Sequence, residues 1–555
     1  MKLKIKLLLS LLAVAAAGVY YYVTIPAVNI HSSGFWLFII SLVVILTLFG
    51  SARGIREGIP AAELRPLKIG AVITVFLLVI FGIGSLLSSP IINAAKYHQL
   101  LTVQEGTFTE DIAEVNYTEI PLLDKSSASL LGNRKMGSLI DMVSQFEVSS
   151  LYTQINYQNK PVRVTPLVYA SPIKWLTNMS EGIPAYIMID MTTQDTECVR
   201  LPEGSFIRYS QAEYFNRNIY RHLRFRYPTY IFDQLSFEID EEGTPYWICP
   251  VKKFNIGLFG GQTIGKVVLC NAITGETVCY EVGDCPQWVD SVYSANLLIQ
   301  LYDYYGLYMN GFFNSVLSQK GCLRTTDGYN YLAMEDDVWV YTGITSVSGD
   351  ESNVGFVLMN QRTMEAKYYT CPGAEEYSAM NSAEGQVQNL GYHSTFPLLL
   401  NVAGEPTYFM ALKDDAGLVK KYAMVNIKKY QNVAIGDTVA DCENAYVSLL
   451  KTNGISSAPA SVGDTATGTI ETLAPVVLEG NSHYFVILAG KDAIYDVTVS
   501  EFPQIVRYKE GGQITFEYLV GEGLQTVTGI PPQQAGGPAD RGAAEEPSVP
   551  AASGE

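Results

Sequence analysis

Few residues in this sequence have the types and spacing that chemistry requires. Cys371 and His393 could act as a nucleophile and its base, the pairing that activates a cysteine for covalent catalysis. Adjacent carboxylates, which could serve acid–base or calcium chemistry, occur at Asp336–Asp337 and Asp414–Asp415. Because Cys371 stands before a proline at the edge of a predicted module, we expect it to be structural. The carboxylate pairs fall where hairpin turns are expected, so we expect them to be solvated.

The motifs of familiar catalytic classes are missing from the sequence. It contains no H-E-x-x-H, no G-x-S-x-G, no P-loop and no G-x-G-x-x-G. The histidines after residue 95 are too scattered to suggest a metal cluster: His98, His222, His393 and His483. The sequence therefore predicts no catalytic residue, no cofactor and no metal ligand. An exported enzyme of unrecognised type, such as a Cys- or carboxylate-dependent hydrolase, stays open as the alternative.

The cysteines could form disulfides. All eight follow the apolar N-terminal segments: Cys198, Cys249, Cys270, Cys279, Cys285, Cys322, Cys371 and Cys442. An even number of cysteines in an oxidising compartment permits bridges. We predict at least one bridge, within the second module, among Cys249, Cys270, Cys279 and Cys285. The alternative is buried free thiols, since free cysteine commonly packs as a small apolar side chain.

Three apolar segments near the N-terminus are long enough to cross a bilayer, which takes about 20 residues. They cover residues 7–25, 35–52 and 69–95. Basic residues lie before the first segment and between the second and third: Lys2, Lys4, Lys6, Arg53, Arg56, Arg65 and Lys68. Since short cytoplasmic loops carry this excess, we predict three transmembrane helices, a cytoplasmic N-terminus and an extracytoplasmic remainder. A cleavable signal peptide is the alternative for the first segment, because Ala13, Ala15 and Ala17 could form its cleavage region.

The region after residue 90 is strongly acidic. It holds 30 basic and 53 acidic side chains, a formal charge of −23. Such a surface repels nucleic-acid phosphates and anionic lipid heads. The loop at residues 53–68 is too short to hold a cytoplasmic kinase, nucleotide-binding or DNA-binding domain. We therefore expect the function to lie in the exported region, with the lipid bilayer and an envelope protein or peptide as partners and no nucleic acid.

A strand that ends in Asp or Asn occurs four times in the exported region. The copies cover 185–190, 266–271, 355–360 and 421–426, and they end at Asp190, Asn271, Asn360 and Asn426. Three residues later stand Thr193, Thr274, Thr363 and Lys429. In the second copy, Gly275 can take the positive φ of a tight hairpin, and a further strand follows at 277–282.

Each copy has an aromatic or β-branched strand before it and a helix-compatible segment after it. The preceding strands are 161–165, 245–248, 338–341 and 406–409; the helical segments are 211–225, 289–317, 374–388 and 438–450, and one more helix is predicted at 136–146. Each unit therefore reads as an antiparallel meander with a helix, which supplies the apolar face that a three-stranded sheet needs. The alternative is that a strand followed by Asp or Asn and a turn is common to many hairpins, so that the four copies are a coincidence.

The second copy resembles a known module. Residues 235–247 (LSFEIDEEGTPYW) and 266–276 (KVVLCNAITGE) are similar to PepSY-type extracytoplasmic modules, which place a helix beside an antiparallel sheet with a V-x-(D/N)-A-x-T-G-E hairpin. The likeness covers about 50 residues, best over 235–283, and the other copies lack the Thr-Gly-Glu. The resemblance implies a binding or regulatory unit of the bacterial cell envelope, without catalytic residues to transfer.

The C-terminal part reads as a small all-β module followed by a tail. Five strands are predicted at 468–473, 483–488, 494–499, 513–520 and 525–530, with a helical turn at 503–506. Their order resembles an OB-like barrel; a sandwich edge or a further half-meander is the alternative. The acidic charge of this module disfavours single-stranded nucleic acid as a ligand. The last residues are rich in Pro, Ala, Gly and Glu, which predicts a disordered tail.

These patterns predict a membrane-anchored α+β protein. The predicted regions are a three-helix anchor (1–95), a connecting segment with a helix (96–150), four sheet modules (151–230, 231–320, 321–390, 391–450), a linker (451–465), an OB-like module (466–530) and a disordered tail (531–555). The favoured function is a non-catalytic cell-envelope protein whose modules bind a protein, peptide or wall component as a scaffold or regulator.

Overall fold

A computed structural model describes residues 2–56, 60, 64–112, 120–334, 336–347, 352–453, 464–478, 481–499, 502–519 and 524–531. The chain divides into two compact units, Met1–Ser456 and Ser457–Glu555. Most of the predicted linker lies outside the described residues, and so does the predicted tail from residue 532 onward.

Four helices begin the chain. They are α1 (Lys2–Thr24), α2 (Ser33–Arg56), α3 (Arg65–Leu87) and α4 (Pro90–His98). Two of them are long and apolar enough to cross a membrane, α2 over Ser33–Ser51 and α3 over Arg65–Leu87. Large apolar side chains on both point outward, as at Leu37, Val72 and Phe76. A water-soluble helix would bury such a surface.

The predicted third apolar segment forms two helices rather than one. α3 is followed by Ser88 and Ser89, and Pro90 begins α4. Proline fits the first turn of a helix, where its missing N–H has no partner to lose. Ser88 Oγ donates to Gly84 O, and the Tyr97 hydroxyl donates back to Ser88 O at 2.7 Å, so both helices are tied to the junction.

Four sheets follow, each built on a four-stranded antiparallel meander. The short strand β1 (Val103–Glu105) joins the third sheet, parallel to β15 (Ala366–Ala374). The first sheet contains β2 (Phe146–Val148), β3 (Thr153–Tyr157), β4 (Lys160–Tyr169), β5 (Ala185–Asp190) and β6 (Thr196–Arg200). The second contains β7 (Ser236–Ile239), β8 (Pro245–Ile256), β9 (Gly260–Asn271) and β10 (Thr277–Glu281).

The third and fourth sheets repeat this order. The third contains β11 (Leu323–Thr325), β12 (Asn330–Met334), β13 (Asp337–Ser346), β14 (Ser352–Asn360) and β15 (Ala366–Ala374). The fourth contains β16 (His393–Ser394), β17 (Leu398–Val402), β18 (Glu405–Lys413), β19 (Val419–Asn426) and β20 (Val433–Gly436). The sequence patterns located the second and third strands of each meander, and the fourth strand only in the second meander, at β10. They missed the first strands, namely β3, β7, β12 and β17.

Of the remaining helices, two precede the first meander, one lies within it, and the others follow a meander. In chain order, they are α5 (Phe108–Asp111), α6 (Lys125–Gly137), α7 (Pro172–Asn178), α8 (Ile219–Arg226), α9 (Ala295–Leu307), α10 (Glu376–Gln386) and α11 (Val439–Thr452). The helix predicted at 136–146 is wrong, because α6 ends at Gly137 and turns lead to β2. The start of α6 is set by Asp124, whose side chain accepts the Ser127 N–H at 2.9 Å as a helix cap.

Consecutive sheets pack face to face because alternate residues of a strand point to opposite faces. On β8, Trp247 and Cys249 pack in a core shared with the first sheet, whereas Ile248 packs in a core shared with α9 and the third sheet. On β13, Val340 belongs to the core with the second sheet, and Tyr341 to the core with the fourth. The second and third sheets are therefore buried on both faces.

The first and fourth modules also touch each other. Gln194, after β5, donates to the Tyr422 hydroxyl on β19 at 3.4 Å, and Lys413 Nζ on β18 lies 2.9 Å from the Asp124 carboxylate at the start of α6. Each of the four sheets thus has contacts to the one before it and the one after it, with the fourth returning to the first.

The C-terminal unit is a closed five-stranded barrel. Its strands are β21 (Asp464–Leu478), β22 (Asn481–Leu488), β23 (Ile494–Thr498), β24 (Gln513–Leu519) and β25 (Leu524–Gly529), in the order β21-β22-β23-β25-β24. β23 runs parallel to β25, and a 3-10 helix at Pro503–Arg507 connects β23 to β24. Aromatic and branched side chains fill the interior, among them Tyr495 and Phe516 with ring centroids 4.7 Å apart.

Candidate functional site

A polar cleft of about 270 Å³ lies where the first strands of the first three meanders meet. Its lining comes from β3, the start of β7, residues around β12, the first turn of α9 and the start of α6. The polar lining includes Lys125, Gln154, Ser236, Asn296, Tyr329 and Tyr331. Because three sheets contribute, the cleft exists only when the modules are packed together.

A buried arginine lies beside this cleft. Arg163 on β4 is paired with Gln154 on β3 and is 4% exposed. Its Nη2 donates to Gln154 Oε1 at 3.2 Å, and its Nε has no hydrogen-bond partner in the described part of the chain. Burial lowers the pKa of Arg163, and the nearby Tyr331 and Asp124 oppose that shift. A buried guanidinium without a close carboxylate is costly to the fold.

Gln154, which belongs to the cleft lining, itself has an unpartnered donor. It is 5% exposed, its Oε1 is held by Arg163, and its Nε2 has no partner among the described residues. The first turn of α9 is close by, capped by Ser294, whose Oγ accepts the Leu297 N–H at 3.4 Å. A helix N-terminus carries partial positive charge. Together with Lys125, these groups give the cleft donors and positive potential.

The carboxylates nearest to the cleft have partners of their own. Although burial opposes it, hydrogen bonds from Ser127 and Lys413 lower the pKa of Asp124 to about 2. Asp233 accepts from Ser294 Oγ at 3.1 Å and lies 3.0 Å from Lys252 Nζ. Neither carboxylate is left to balance the charge of Arg163.

Two buried acids join the first meander to the second. Glu238 on β7 is fully buried and accepts the backbone N–H groups of Asp290 and Ser291 at 3.0 Å each. Asp290 accepts the Asn156 N–H from β3 at 2.7 Å. Burial raises the pKa of Glu238 to about 7, and burial beside Glu238 raises the pKa of Asp290 well above its usual range. Both are side chains that the sequence patterns did not single out.

The expectation that Asp336 and Asp337 are both solvated is wrong for Asp337. Asp336 lies in the turn between β12 and β13 and accepts from Asn156 Nδ2 at 3.1 Å. Asp337 is not solvated: it is buried and forms two hydrogen bonds with Arg362, at 2.6 and 2.8 Å. A buried carboxylate needs such a partner, and the pattern of adjacent acids could not reveal an arginine 25 positions away.

The four hairpin residues occupy corresponding positions, at the end of the third strand of each meander. Each side-chain oxygen accepts the backbone N–H three residues later at 2.9 Å, which closes an Asx turn. The pairs are Asp190–Thr193, Asn271–Thr274, Asn360–Thr363 and Asn426–Lys429. Gly275, with φ +75°, continues the second of these turns and lies against the Tyr209 ring. These residues shape hairpins and lie outside the cleft lining.

The structure does not bring together Cys371 and His393, the candidate nucleophile and base. Cys371 is buried on β15, and burial raises the pKa of its thiol to about 11. The His393 side chain is 69% exposed and lies 3.9 Å from carboxylates of Glu384 and Asp415. No contact between the two is among the interactions of the described residues. Asp414–Asp415 occupies the β18–β19 turn, where the Asp415 side chain is 96% exposed.

All eight cysteines are free thiols in the structure, and all lie in its described part. No bridge therefore joins the four candidates. Cys249 and Cys270 lie on neighbouring strands but out of register, since Cys249 is opposite Val268 and Cys270 is opposite Trp247. Cys279, one strand further, is exposed, while both of those thiols are buried. Cys279 and Cys249 both lie opposite Val268, so the three thiols share one face of the sheet, and β9 separates Cys279 from Cys249.

The second sheet also contacts the N-terminal helices. Ser88 Oγ, at the end of α3, accepts the N–H groups of Leu258 and Phe259 in the β8–β9 turn, at 2.8 and 3.1 Å. The Phe259 ring lies 5.0 Å from Phe81 and 6.5 Å from Trp36. A Cβ at Gly84 would come within 2.6 Å of Leu258 Cδ1, so glycine allows this close approach.

The turn between α1 and α2 contacts the same side of the sheets. His31 Nδ1 lies 2.7 Å from Leu258 O, and its ring stacks on Phe254 at 5.2 Å. Asn29 Nδ2 donates to Thr229 O at 2.9 Å. The α1–α2 turn and the end of α3 therefore both contact the β8–β9 hairpin of the second sheet.

No group of three or more His, Cys, Asp and Glu side chains that could hold a metal ion occurs among the described residues. No protein-family model matches the chain, and no curated protein matches it.

Some solved structures show slight similarity. A mutant of Synechocystis apocarotenoid oxygenase (ACO) has 10% identity and a TM-score of 0.14, with 63% of this chain and 58% of that chain covered. An ACO/RPE65 chimera has 8% identity, a TM-score of 0.14, and coverages of 71% and 66%. An ancestral GH74 enzyme has 11% identity, a TM-score of 0.16, and coverages of 66% and 43%. The chain thus spans about three fifths of the oxygenase, and TM-scores this low identify neither fold nor function.

Proposed function

We propose that this is a non-catalytic, membrane-anchored protein of the cell envelope, whose extracytoplasmic modules bind a protein, peptide or wall component at the cleft between their first strands. The observation that carries the proposal is the convergence of three sheets on one polar cleft with an unpartnered donor in its lining. Binding sites are typically concave, few per protein and formed where elements meet.

The membrane part of the proposal comprises three transmembrane helices, with α1 as the first and the N-terminus in the cytoplasm. Support comes from the outward apolar surfaces of α2 and α3. The α1–α2 turn and the end of α3 both contact the β8–β9 hairpin, as they would if both faced the outer side of the membrane. Exposed apolar side chains continue onto α4 at Ile91 and Ile92.

We also propose that the meanders are PepSY-like and the C-terminal barrel OB-like. The second meander has its Asn271-to-Thr274 turn and a helix that packs on the sheet, as the resemblance requires. The barrel has five strands, with the third parallel to the fifth and a short helix between the third and fourth. An acidic chain does not suit the nucleic-acid role of many OB folds.

Photo-crosslinking in intact cells tests whether the cleft is a binding site. A benzophenone amino acid is placed at Asn296, an exposed residue of the cleft lining, and in a matched control at Tyr430, which is 42% exposed in the fourth module. We expect a discrete covalent adduct from position 296 and none from position 430, with the adduct identified by mass spectrometry. Equal or absent crosslinking at both positions would refute the cleft as the binding surface.

A further inference from the structure

We propose that the cleft binds a carboxylate group of a peptide, with Gln154 Nε2, Lys125 and the first turn of α9 as the contacting groups. Arg163 is a positioning residue, because it holds Gln154 and supplies positive potential without lining the cleft itself. The inference rests on the proposed function and deepens it by naming the chemistry that the ligand must offer.

The first argument is the unpartnered donor. Gln154 is more than nine-tenths buried, yet its Nε2 has no partner among the described residues, and neither has Arg163 Nε. A buried donor without an acceptor is unfavourable, because it has lost its hydrogen bond to water without replacing it. Two such donors lie near the same cleft, where an acceptor atom of a ligand could satisfy at least one of them. Of these two residues, Gln154 is the one that belongs to the cleft lining.

The second argument is the local charge in an acidic chain. The chain carries a formal charge of −18, so an anion would be repelled from most of its surface. At the cleft, Lys125 and the N-terminus of α9 face the ligand, and Arg163 lies behind Gln154. Asp124 is held by Lys413 and Asp233 by Lys252. A third carboxylate, Glu238, accepts from the lining residues Ser236 and Ser291, and burial raises its pKa to about 7, which reduces its negative charge.

The third argument is size. The cleft measures about 270 Å³, just below the volumes of sites that hold whole small ligands, roughly 300–1,000 Å³. It suits one side chain or one terminus of a peptide, with Ser236, Tyr329 and Tyr331 available for the adjoining polar groups. A carboxylate is matched by two or three donors, whereas a phosphate dianion commonly requires several cationic groups in direct contact.

Titration of the detergent-solubilised full chain with short peptides tests this inference. The probes are acetyl-Ala-Glu-Ala-amide, acetyl-Ala-Ala-Ala with a free C-terminal carboxylate, and the neutral acetyl-Ala-Gln-Ala-amide, with binding followed by ligand-observed NMR. We expect one or both acidic peptides to bind at least about tenfold more tightly than the neutral one. The stronger of the two identifies a side-chain or a terminal carboxylate as the source. Binding of all three with equal strength, or of none, overturns the inference.

Gln154→Glu is the decisive variant, because it supplies a carboxylate to Arg163 from within the protein. We expect it to abolish peptide binding and to raise the thermal midpoint, a combination that a purely structural residue would not give. The matched control is Arg200→Met on β6, which removes an exposed arginine paired with Asp141 and should leave peptide binding unchanged. Undiminished binding to Gln154→Glu, or an equal loss in both variants, would contradict the proposal.

Failure of this inference can be told apart from failure of the proposed function. If the benzophenone at position 296 forms an adduct while the acidic peptides do not bind, the cleft remains a binding site and its ligand has other chemistry. If neither experiment gives binding, the proposed function falls together with the inference.

Discussion

The β8–β9 hairpin of the second meander and the β18–β19 hairpin of the fourth have the same place in their meanders and different tips. β8 and β9 have 12 residues each, and their turn presents Leu258 and Phe259 to the N-terminal helices. β18 and β19 have 9 and 8 residues, and their turn contains Asp414 and Asp415. The Asp414 carboxylate accepts the Leu418 N–H at 2.9 Å, which closes a turn with no need of a neighbour.

The same strand arrangement makes different contacts in the two meanders. In the second meander the hairpin is longer and its apolar tip packs on Trp36 and Phe81, so the hairpin ties the sheets to the N-terminal helices. In the fourth meander the shorter hairpin ends in a polar turn, and Lys413 beside that turn binds Asp124 at the start of α6. Tip chemistry and strand length, rather than the meander itself, decide which neighbour the hairpin holds.

The largest effect is expected when the apolar tip is made polar. Phe259→Asp removes the two aromatic contacts and places a charge against α2 and α3, which should cost roughly 3–5 kcal/mol of local stability. Hydrogen exchange of the reconstituted protein would report this as faster exchange of the β8–β9 amides. Asp415→Ala at the other tip is the control and should leave the β18–β19 amides unchanged, since that side chain is exposed. Equally faster exchange in both hairpins would mean that the apolar tip of β8–β9 contributes no more stability than the polar tip of β18–β19.

The stability of the second meander should depend on pH more than that of the fourth, because its first strand carries a buried acid. The pKa of Glu238 on β7 is raised from its usual 4.5 to about 7, so the protonated form favours the folded state. The stabilisation is complete below about pH 4.5 and is lost as the pH rises through 7, by on the order of 3 kcal/mol. The corresponding strand β17 carries Asn401, which does not titrate.

Amide exchange measured at several pH values checks this expectation. The β7–β8 amides should exchange increasingly fast, after correction for intrinsic rates, between pH 4.5 and 8, while the β17–β18 amides should not. Glu238→Gln should make the profile of the second meander less steep, and the part that remains should come from Asp290, whose pKa burial also raises. A flat profile in the unsubstituted protein would show that Glu238 ionises normally.

A smaller effect is expected at Ser88. Ser88→Ala deprives the N–H groups of Leu258 and Phe259 of their acceptor, at a cost of about 1–3 kcal/mol. The expected result is faster exchange of these two amides with little change elsewhere. Ser89→Ala is the matched control, because Ser89 Oγ donates only to Leu86 O within the helix end. If both variants behave alike, the serine does not hold the hairpin.

The smallest difference is expected between the Asx residues of the two hairpins. Asn426 is buried and also donates to the Tyr446 hydroxyl at 3.2 Å, whereas Asn271 is half-buried and supports only its turn. Asn426→Ala should therefore cost about 2 kcal/mol and Asn271→Ala about 1 kcal/mol in thermal or denaturant unfolding. The reverse order would mean that the turn, and not the buried contact, carries the energy.

The third strand of every meander could be located from the sequence because its Asp or Asn closes a local turn, as Asn271 does. Local periodicity likewise located α2, α3, α9 to α11 and the barrel strands. The first strands escaped detection because four or five residues, as in β7, are too few for alternation to be read. The predicted helix at 136–146 failed since Gly137 ends α6.

The cleft could not be predicted, because its residues meet only through packing of three sheets. One signal was present in the sequence: Arg163 and Glu238 are charges within otherwise apolar strands, β4 and β7, where a charge requires a special partner. Arg163 finds Gln154 across the β3–β4 hairpin, which depends on the register of the two strands, whereas Glu238 finds the Asp290 backbone 52 residues away. Such contacts leave no local pattern.

The central claim, that the sheets form an extracytoplasmic body held at the membrane by the N-terminal helices, is tested most directly by labelling Cys279 in spheroplasts. This thiol is exposed on β10, whereas Cys249 and Cys270 are buried. A membrane-impermeant maleimide should label it before the cells are lysed, and Cys279→Ser should remove that label. Labelling of Cys279 only after permeabilisation would place the sheets in the cytoplasm and contradict the account.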